Sequence, residues 1–118
     1  MASFRMDYPP SVNRYWRMVN GRMLISKDGR LYRSAAMGLT DEVFTGPVQV
    51  SLEFTYPDNR RRDLDNVLKA VLDAIGHAGI YADDSQVRRI LAEQVDVQPP
   101  GCVDVIIEPW TPVFRIGG

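Results

Sequence analysis

The sequence predicts an α/β (α+β) fold, a single small domain in which a mixed β-sheet carries two main helices packed on it. Three observations predict it. Residues 48–56, VQVSLEFTY, alternate strictly, with Val48, Val50, Leu52, Phe54 and Tyr56 on one face and Gln49, Ser51, Glu53 and Thr55 on the other. That is the period of a half-buried strand. From Leu64 the period lengthens, because Leu64, Leu68, Val71, Leu72 and Ile75 fall at i, i+4, i+7, i+8 and i+11 and make one apolar stripe on a helix. Turn clusters at Pro57-Asp58-Asn59 and Pro99-Pro100-Gly101 punctuate the pattern, and no repeat, low-complexity tract or linker divides it. Residues 1–118 are therefore expected to form one domain.

Taken in order, Phe4, Met6 and Tyr8 make an opening strand that Pro9-Pro10 stops, since proline cannot donate to a ladder. Met23 to Ser26 reads as a second strand. Residues 30–44 place Tyr32, Ala35, Ala36 and Leu39 on one side of a helix that Ser26 is able to cap, although Lys27-Asp28-Gly29-Arg30 equally suits a hairpin turn. Strand followed by helix is the favoured reading. After the strand at 48–56, the helix from Leu64 has Asp63 as its expected N-cap. It ends near Gly76 and Gly79, with Gly79 the better candidate for the left-handed position after the last turn. Periodicity leaves residues 86–97, QVRRILAEQVDV, open: the composition tolerates a helix, while Val95 and Val97 alternate. Pro99-Pro100-Gly101 is expected to turn the chain, as in a hairpin, into a last strand where Val103, Val105 and Ile107 alternate with Asp104, Ile106 and Glu108 up to Pro109.

Hydrophobic content of 45% with 25% charged residues is ordinary for a soluble globular chain. No window approaches the roughly eighteen consecutive apolar residues of a membrane span, so no membrane partner is expected. MASFRMDYPP lacks the apolar run of a signal peptide, and the one cysteine, Cys102, has no second cysteine for an internal disulfide, which points to the cytoplasm. The net charge of −1 hides an uneven distribution. Residues 1–40 carry seven basic side chains against two acidic, and the remainder carries seven basic against thirteen acidic. Twelve of the fourteen basic residues are arginine, whose planar fork suits phosphate, so an arginine-rich front end suggests a polyanion.

The charge is densest in RRRDLDNVLK, residues 60–69. Asp63 and Asp65 stand two apart where an extended segment enters a helix, a place where two carboxylates can converge in front of the first turn. Such a pair suits a hard cation such as Mg²⁺, which takes oxygen ligands and fills its remaining positions with water and substrate phosphate. Lys69, at i+4 from Asp65, lies on the same helix face. Taken alone, each piece has a plainer explanation in helix capping and surface pairing. Asp83-Asp84, after the turn at Gly79, supplies a further carboxylate and shifts the balance towards a metal site. The neighbouring arginines would keep the acids ionised and hold phosphates, and the combination reads as nucleic-acid hydrolysis, with Lys69 steadying developing charge or the attacking water.

The block RRRDLDNVLKAVLDAIGHAGIYADDSQV, residues 60–87, resembles the signature of the RusA family of Holliday junction resolvases. PPSVNRYWR (9–17) and GRMLISKDGRLYR (21–33) resemble that family's opening, so the likeness covers about two thirds of the chain. It implies that Asp63, Asp65 and Asp84 are the catalytic, metal-binding carboxylates and Lys69 the essential lysine, with Asp83 ranked below Asp84. It implies Mg²⁺ as cofactor, with Mn²⁺ as an alternative. It also implies a homodimer that binds branched DNA, a four-way junction, and nicks two opposed strands, so that two copies of one site address two equivalent strands. Arg62 is the arginine chosen for DNA contact, with Arg60 and Arg61 behind it and Arg14 and Arg17 in the basic front end. The resemblance makes residues 86–97 a strand and gives 26–44 a helix.

Other residues carry less. His77, the only histidine, suits a helix C-terminus better than a ligand role. Asp73, at i+4 from Lys69, reads as its structural partner. Tyr15 and Trp16 fit equally a role stacking on unpaired bases or a place in the core or dimer interface. Trp110 and Phe114 match nothing assignable. Two rival functions remain: a metal-dependent nuclease for other branched DNA, and a dimer that binds branched DNA without cutting it, for which the third carboxylate has no use.

Overall fold

A computed structural model of the chain describes residues 1–113. Its elements run β1 (Ala2–Asp7), α1 (Val12–Tyr15), β2 (Trp16–Val19), β3 (Arg22–Ile25), α2 (Lys27–Ala36), β4 (Val48–Tyr56), α3 (Asp65–His77), β5 (Val87–Val97) and β6 (Cys102–Pro109), with a 3-10 turn at Asp84–Gln86 before β5. Phe114 lies outside the described residues.

The alternating segment is one of the two interior strands of a four-stranded sheet ordered β1-β6-β4-β5. β4 and β5 are parallel because α3 carries the chain from one end of the sheet back to the other, whereas β6 is antiparallel to both β1 and β4. The sheet is mixed, as expected, but the hairpin expected at Pro99-Pro100-Gly101 is not one. β4 stands between β5 and β6, so this segment passes over the end of β4 instead. There Gln98 N donates to Tyr56 O at 2.8 Å. Gly101 takes φ +83°, and a Cβ on it would lie 2.9 Å from Thr55 O, so the crossing requires glycine.

Val48, Val50, Leu52, Phe54 and Tyr56 are all buried, with Val103, Val105 and Ile107 of β6 beside them. At roughly 1.5–3 kcal/mol for each large aliphatic or aromatic side chain removed from water, this face is the main stabilising layer. α3 belongs to the same core, but with a rotated stripe. Its buried positions are Val67, Ala70, Val71, Ala74 and Ile75, while Leu64, Leu68 and Leu72 are only partly buried. Ala70 and Ala74 are fully buried, and that rotation turns Leu68 and Leu72 sideways. Asp63 is not the N-cap: Leu64 occupies that position in helical conformation, and no side chain caps the helix. At the other end Gly79 takes φ +81° just past Ala78, as expected.

The N-terminal third departs further from expectation. Tyr8 lies beyond β1, edge-on to Tyr56 at 5.8 Å. The short α1 and the strand β2 were not foreseen. β2 and β3 form a separate hairpin whose two turn residues, Asn20 (φ 50°) and Gly21 (φ 74°), both take the left-handed conformation that a type I′ turn requires. Ser26 Oγ accepts from Gly29 N at 3.0 Å and caps α2, which starts at Lys27 and stops at Ala36, leaving Leu39 exposed beyond it. A Cβ on Gly29 would lie 2.5 Å from Tyr15 O, so glycine is what lets α2 dock against the α1–β2 junction. Among the described residues no helix is long and apolar enough to cross a membrane.

Candidate active site

The side of α3 turned away from the core faces the start of β5, and between them lies a recess of about 420 Å³. Its polar wall is Asp65, Lys69, Asp73 and Asp84; its apolar wall includes Leu68, Leu72, Val87 and Ile90. Asp65 and Lys69 arrive together because i and i+4 share a helix face. Asp84 arrives because the chain reverses at Gly79 and a bridge between Phe44 and Tyr81 holds the segment before it. Gly76 lies against this segment: a Cβ there would make ordinary contact, at 3.4 Å, with both Asp84 Oδ1 and the Tyr81 ring.

Adjacent Asp83 and Asp84 do different things. Asp83 is the N-cap of the 3-10 turn, its Oδ1 accepting from Ser85 N at 2.9 Å, while Gln86 Oε1 accepts from Ala82 N and Asp83 N in a capping box. Gln86 Nε2 also donates to Phe44 O and Gly46 O, which pins this turn to the loop before β4. Asp84 makes no side-chain hydrogen bond or ion pair among the described residues, and neither do Asp63 and Asp65. Four other aspartates, Asp28, Asp58, Asp73 and Asp104, are each paired with an arginine, while Asp7 and Asp41, outside the recess, also lack a side-chain partner among the described residues.

Asp73 is structural, as expected, but its partners are not Lys69. Arg33 donates to it in a fork, Nε to Oδ2 at 2.7 Å and Nη2 to Oδ1 at 3.1 Å, and the Tyr15 hydroxyl donates to the same Oδ2. Burial alone would raise the Asp73 pKa; the Arg33 and Tyr15 hydrogen bonds overcome it and hold the carboxyl below its ordinary value. Burial and the neighbouring Asp73 push the Tyr15 hydroxyl well above its usual range, so it stays a donor. Tyr15 is therefore a core residue, fully buried. Its neighbour Trp16 stands against two cations, Lys69 Nζ at 5.6 Å and the Arg33 guanidinium at 5.8 Å from the ring centre.

The arginine run divides too. Arg62 folds back on Asp58, Nη1 to Oδ1 at 2.7 Å, and lies 5.8 Å and 5.7 Å from the rings of Tyr8 and Tyr56. Its side chain is only 20% exposed, so the arginine chosen from the sequence for DNA contact is committed inside the protein. Hydrogen bonds from Arg62 and from the Arg60 amide pull the Asp58 pKa down to about 2. Arg60 and Arg61 are exposed, as are Arg14, paired with Asp28 at 3.2 Å, and Arg17 on β2. His77 is exposed in the last turn of α3, and Trp110, past β6, carries Arg88 at 5.6 Å from its ring.

Asp63 does not line the recess, and no group of three or more His, Cys, Asp or Glu side chains comes together closely enough to hold an ion among the described residues. Asp65 and Asp84 nevertheless suit a hard cation. They are unpaired oxygen donors, and Mg²⁺ is commonly held by one or two carboxylates with water and substrate phosphate completing its shell.

The family model described as endodeoxyribonuclease RusA matches residues 7–108, nearly the whole described chain. This chain belongs to the RusA family. Among its relatives, the crossover junction endodeoxyribonuclease RusA of Shigella sonnei is 37% identical over 110 residues, covering 89% of this chain and 92% of that protein. The Escherichia coli K12 protein of the same name is 36% identical over the same shares. The crossover junction endodeoxyribonuclease of Enterobacteria phage HK97 is 40% identical over 88 residues, 70% of this chain and 73% of its own. The RusA match runs from the last residue of β1 to Glu108 in β6, so it takes in every residue of the recess, together with Trp16 and Arg33 behind it.

Proposed function

We propose that this chain is an endodeoxyribonuclease that resolves four-way DNA junctions by paired nicks, acting as a homodimer in the cytoplasm. Mg²⁺ or Mn²⁺ would be held by Asp65 and Asp84, with Asp63, two residues before Asp65, as a further candidate. The observation that carries this reading is the meeting of Asp65, Lys69 and Asp84 in one recess, from α3 and from the turn before β5, in a chain related to named junction endonucleases. A divalent ion bound there supplies Lewis-acid polarisation of a phosphodiester and a water of lowered pKa. Asp65 and Asp84, without other partners among the described residues, bring the negative charge that selects a cation. Lys69 Nζ has its donors available for the phosphoryl oxygen on which charge grows, or for the attacking water. Exposed Arg60 and Arg61 would grip flanking phosphates. One site makes one cut, and a two-fold dimer matches the near two-fold symmetry of a junction.

The rival that binds without cutting needs the arginines but has no use for unpaired acids beside a lysine. The test compares a synthetic four-way junction, linear duplex and single strand, each with and without Mg²⁺. The expected result is symmetric nicking of the junction alone, and only with metal. Binding with no cleavage under any divalent ion supports the rival, and preference for linear duplex removes the junction assignment.

A further inference from the structure

The outermost strand, β5, has features that a solitary edge strand avoids. It is eleven residues long and pairs only with β4, so one full edge of backbone donors and acceptors has no partner among the described residues. Natural sheets guard such an edge with proline, charged side chains (lysine above all), bulges, or a very short strand. β5 has no proline or lysine, and it exposes Ile90 (42%), Leu91 (54%) and Val95 (47%). The opposite edge, β1, is six residues long, buries Ala2 and Met6, and exposes Arg5 and Asp7.

The charges of β5 are segregated: Arg88 and Arg89 lie at its start, Glu93 and Asp96 towards its end. A second β5 laid antiparallel beside it brings the basic half of each against the acidic half of the other. If the two-fold axis stands perpendicular to the sheet, paired residues face the same side, so the axis must pass through a residue. Irregularities in the β4–β5 register set off Arg88 and Val95, leaving 89–94 as the regular run. Centring on Leu91 sets Arg89 opposite Glu93 of the second copy and Ile90 opposite Ala92. Leu91 then meets its own equivalent on the face away from the helices.

We infer that two copies of this chain join along β5, antiparallel and two-fold about Leu91, into a continuous eight-stranded sheet. This rests on the homodimer reading above and names its surface. It has a consequence for the recess, because Val87 and Ile90 line it and Asp84 immediately precedes the strand. Both recesses then open on the same face, flanking the axis. Their Val87 residues stand about 26 Å apart, at roughly 3.3 Å per residue.

Sedimentation equilibrium on the full chain and on Leu91→Arg, Arg89→Glu and Glu93→Arg tests the pairing, with circular dichroism melts to confirm that each variant is folded. The chain is expected to be a dimer. Each variant should raise its dissociation constant on the order of 100-fold, because like charges then oppose each other across the axis. An equimolar mixture of Arg89→Glu and Glu93→Arg should recover dimers, since each supplies the charge the other lacks. In a Cys102→Ser background, Leu91→Cys should cross-link two chains under mild oxidation, whether or not Leu91→Arg folds. Undiminished dimerisation of the charged variants, no gain on mixing and no cross-link would overturn the β5 pairing while leaving the dimer standing. A native chain that sediments as a monomer at tens of micromolar would overturn both.

Discussion

The ammonium of Lys69 stands 5.6 Å from the centre of the Trp16 ring, on an indole that also carries Arg33. Trp16 belongs to the start of β2 and Lys69 to the second turn of α3, so the ring is a tertiary support for a lysine that has no carboxylate partner among the described residues. A cation over an aromatic face is worth about 0.5–2 kcal/mol. Trp16→Leu is therefore expected to slow junction cleavage roughly 2- to 30-fold, with binding measured in Ca²⁺ or EDTA little changed. Trp16→Phe, which keeps a ring, should recover most of the rate. Equal losses in the two variants would show that the indole merely fills space.

Asp73 ties the three helices together through Arg33 and Tyr15, and its depressed pKa gives a pH signature. A carboxylate whose folded pKa lies below its unfolded value of about 3.9 contributes fully above that value and loses the contribution as pH falls through the folded one. Asp73→Asn should cost about 1.5–3 kcal/mol at pH 7 and should flatten the fall in stability below about pH 4. Urea unfolding at pH 7 and pH 3 measures both quantities. Parallel acid dependence in variant and parent would assign the acid sensitivity to other carboxylates.

Asp83 and Asp84 are neighbours with opposite expected phenotypes. Asp83→Ala removes a cap, at about 1 kcal/mol of stability, and should leave cleavage by the folded protein close to normal. Asp84→Asn removes no hydrogen bond or ion pair seen among the described residues, so the melting temperature should hold while cleavage falls on the order of 10²- to 10³-fold. Asp65→Asn should behave as Asp84→Asn does, with junction binding retained in both. Asp63→Asn tests whether an acid outside the recess takes part: a loss as large as that at Asp65 would mean that DNA or metal draws Asp63 in.

The parts of this architecture legible in the sequence are those set by local period. β4 alternates without exception and is buried on one face, and α3 begins and ends within a residue or two of where Leu64 and Gly79 place it. The face that α3 buries was less legible, because periodicity scores Leu68 and Leu72 above Ala70 and Ala74, whereas the fold buries the alanines completely. Asn20-Gly21 is the strongest local signal for a two-residue hairpin, but the flanking strands, only four residues each, are too short to carry a clear period. Asp65 and Lys69 were legible by helical spacing and the Asp83-Asp84 pair by the turn at Gly79, whereas the choice of Asp84 over Asp83 came only with the family resemblance. Arg33–Asp73 spans 40 residues, and the fold of Arg62 onto Asp58 depends on how Pro57-Asp58-Asn59 turns, so neither leaves a pattern in the sequence.

The two fates of the arginine run give the last prediction. Arg60 and Arg61 are exposed, and Arg60 reaches Asp58 only at 3.9 Å, with a side chain 84% exposed; neither has a structural task to lose. Replacing either with alanine should weaken junction binding and lower the slope of log K against log salt by about 1, with unfolding unchanged. Arg62 is held by a 2.7 Å bond to Asp58 and packed against Tyr8 and Tyr56, so Arg62→Ala should destabilise the fold by roughly 1–3 kcal/mol instead. Its salt slope should stay near that of the parent. Binding isotherms from 50 to 200 mM salt, on the order used to count phosphate contacts, separate the two classes. A salt slope that falls for Arg62→Ala but not for Arg60→Ala or Arg61→Ala would mean that DNA pulls Arg62 away from Asp58, and that the ion pair seen here is a resting arrangement that binding exchanges for a phosphate.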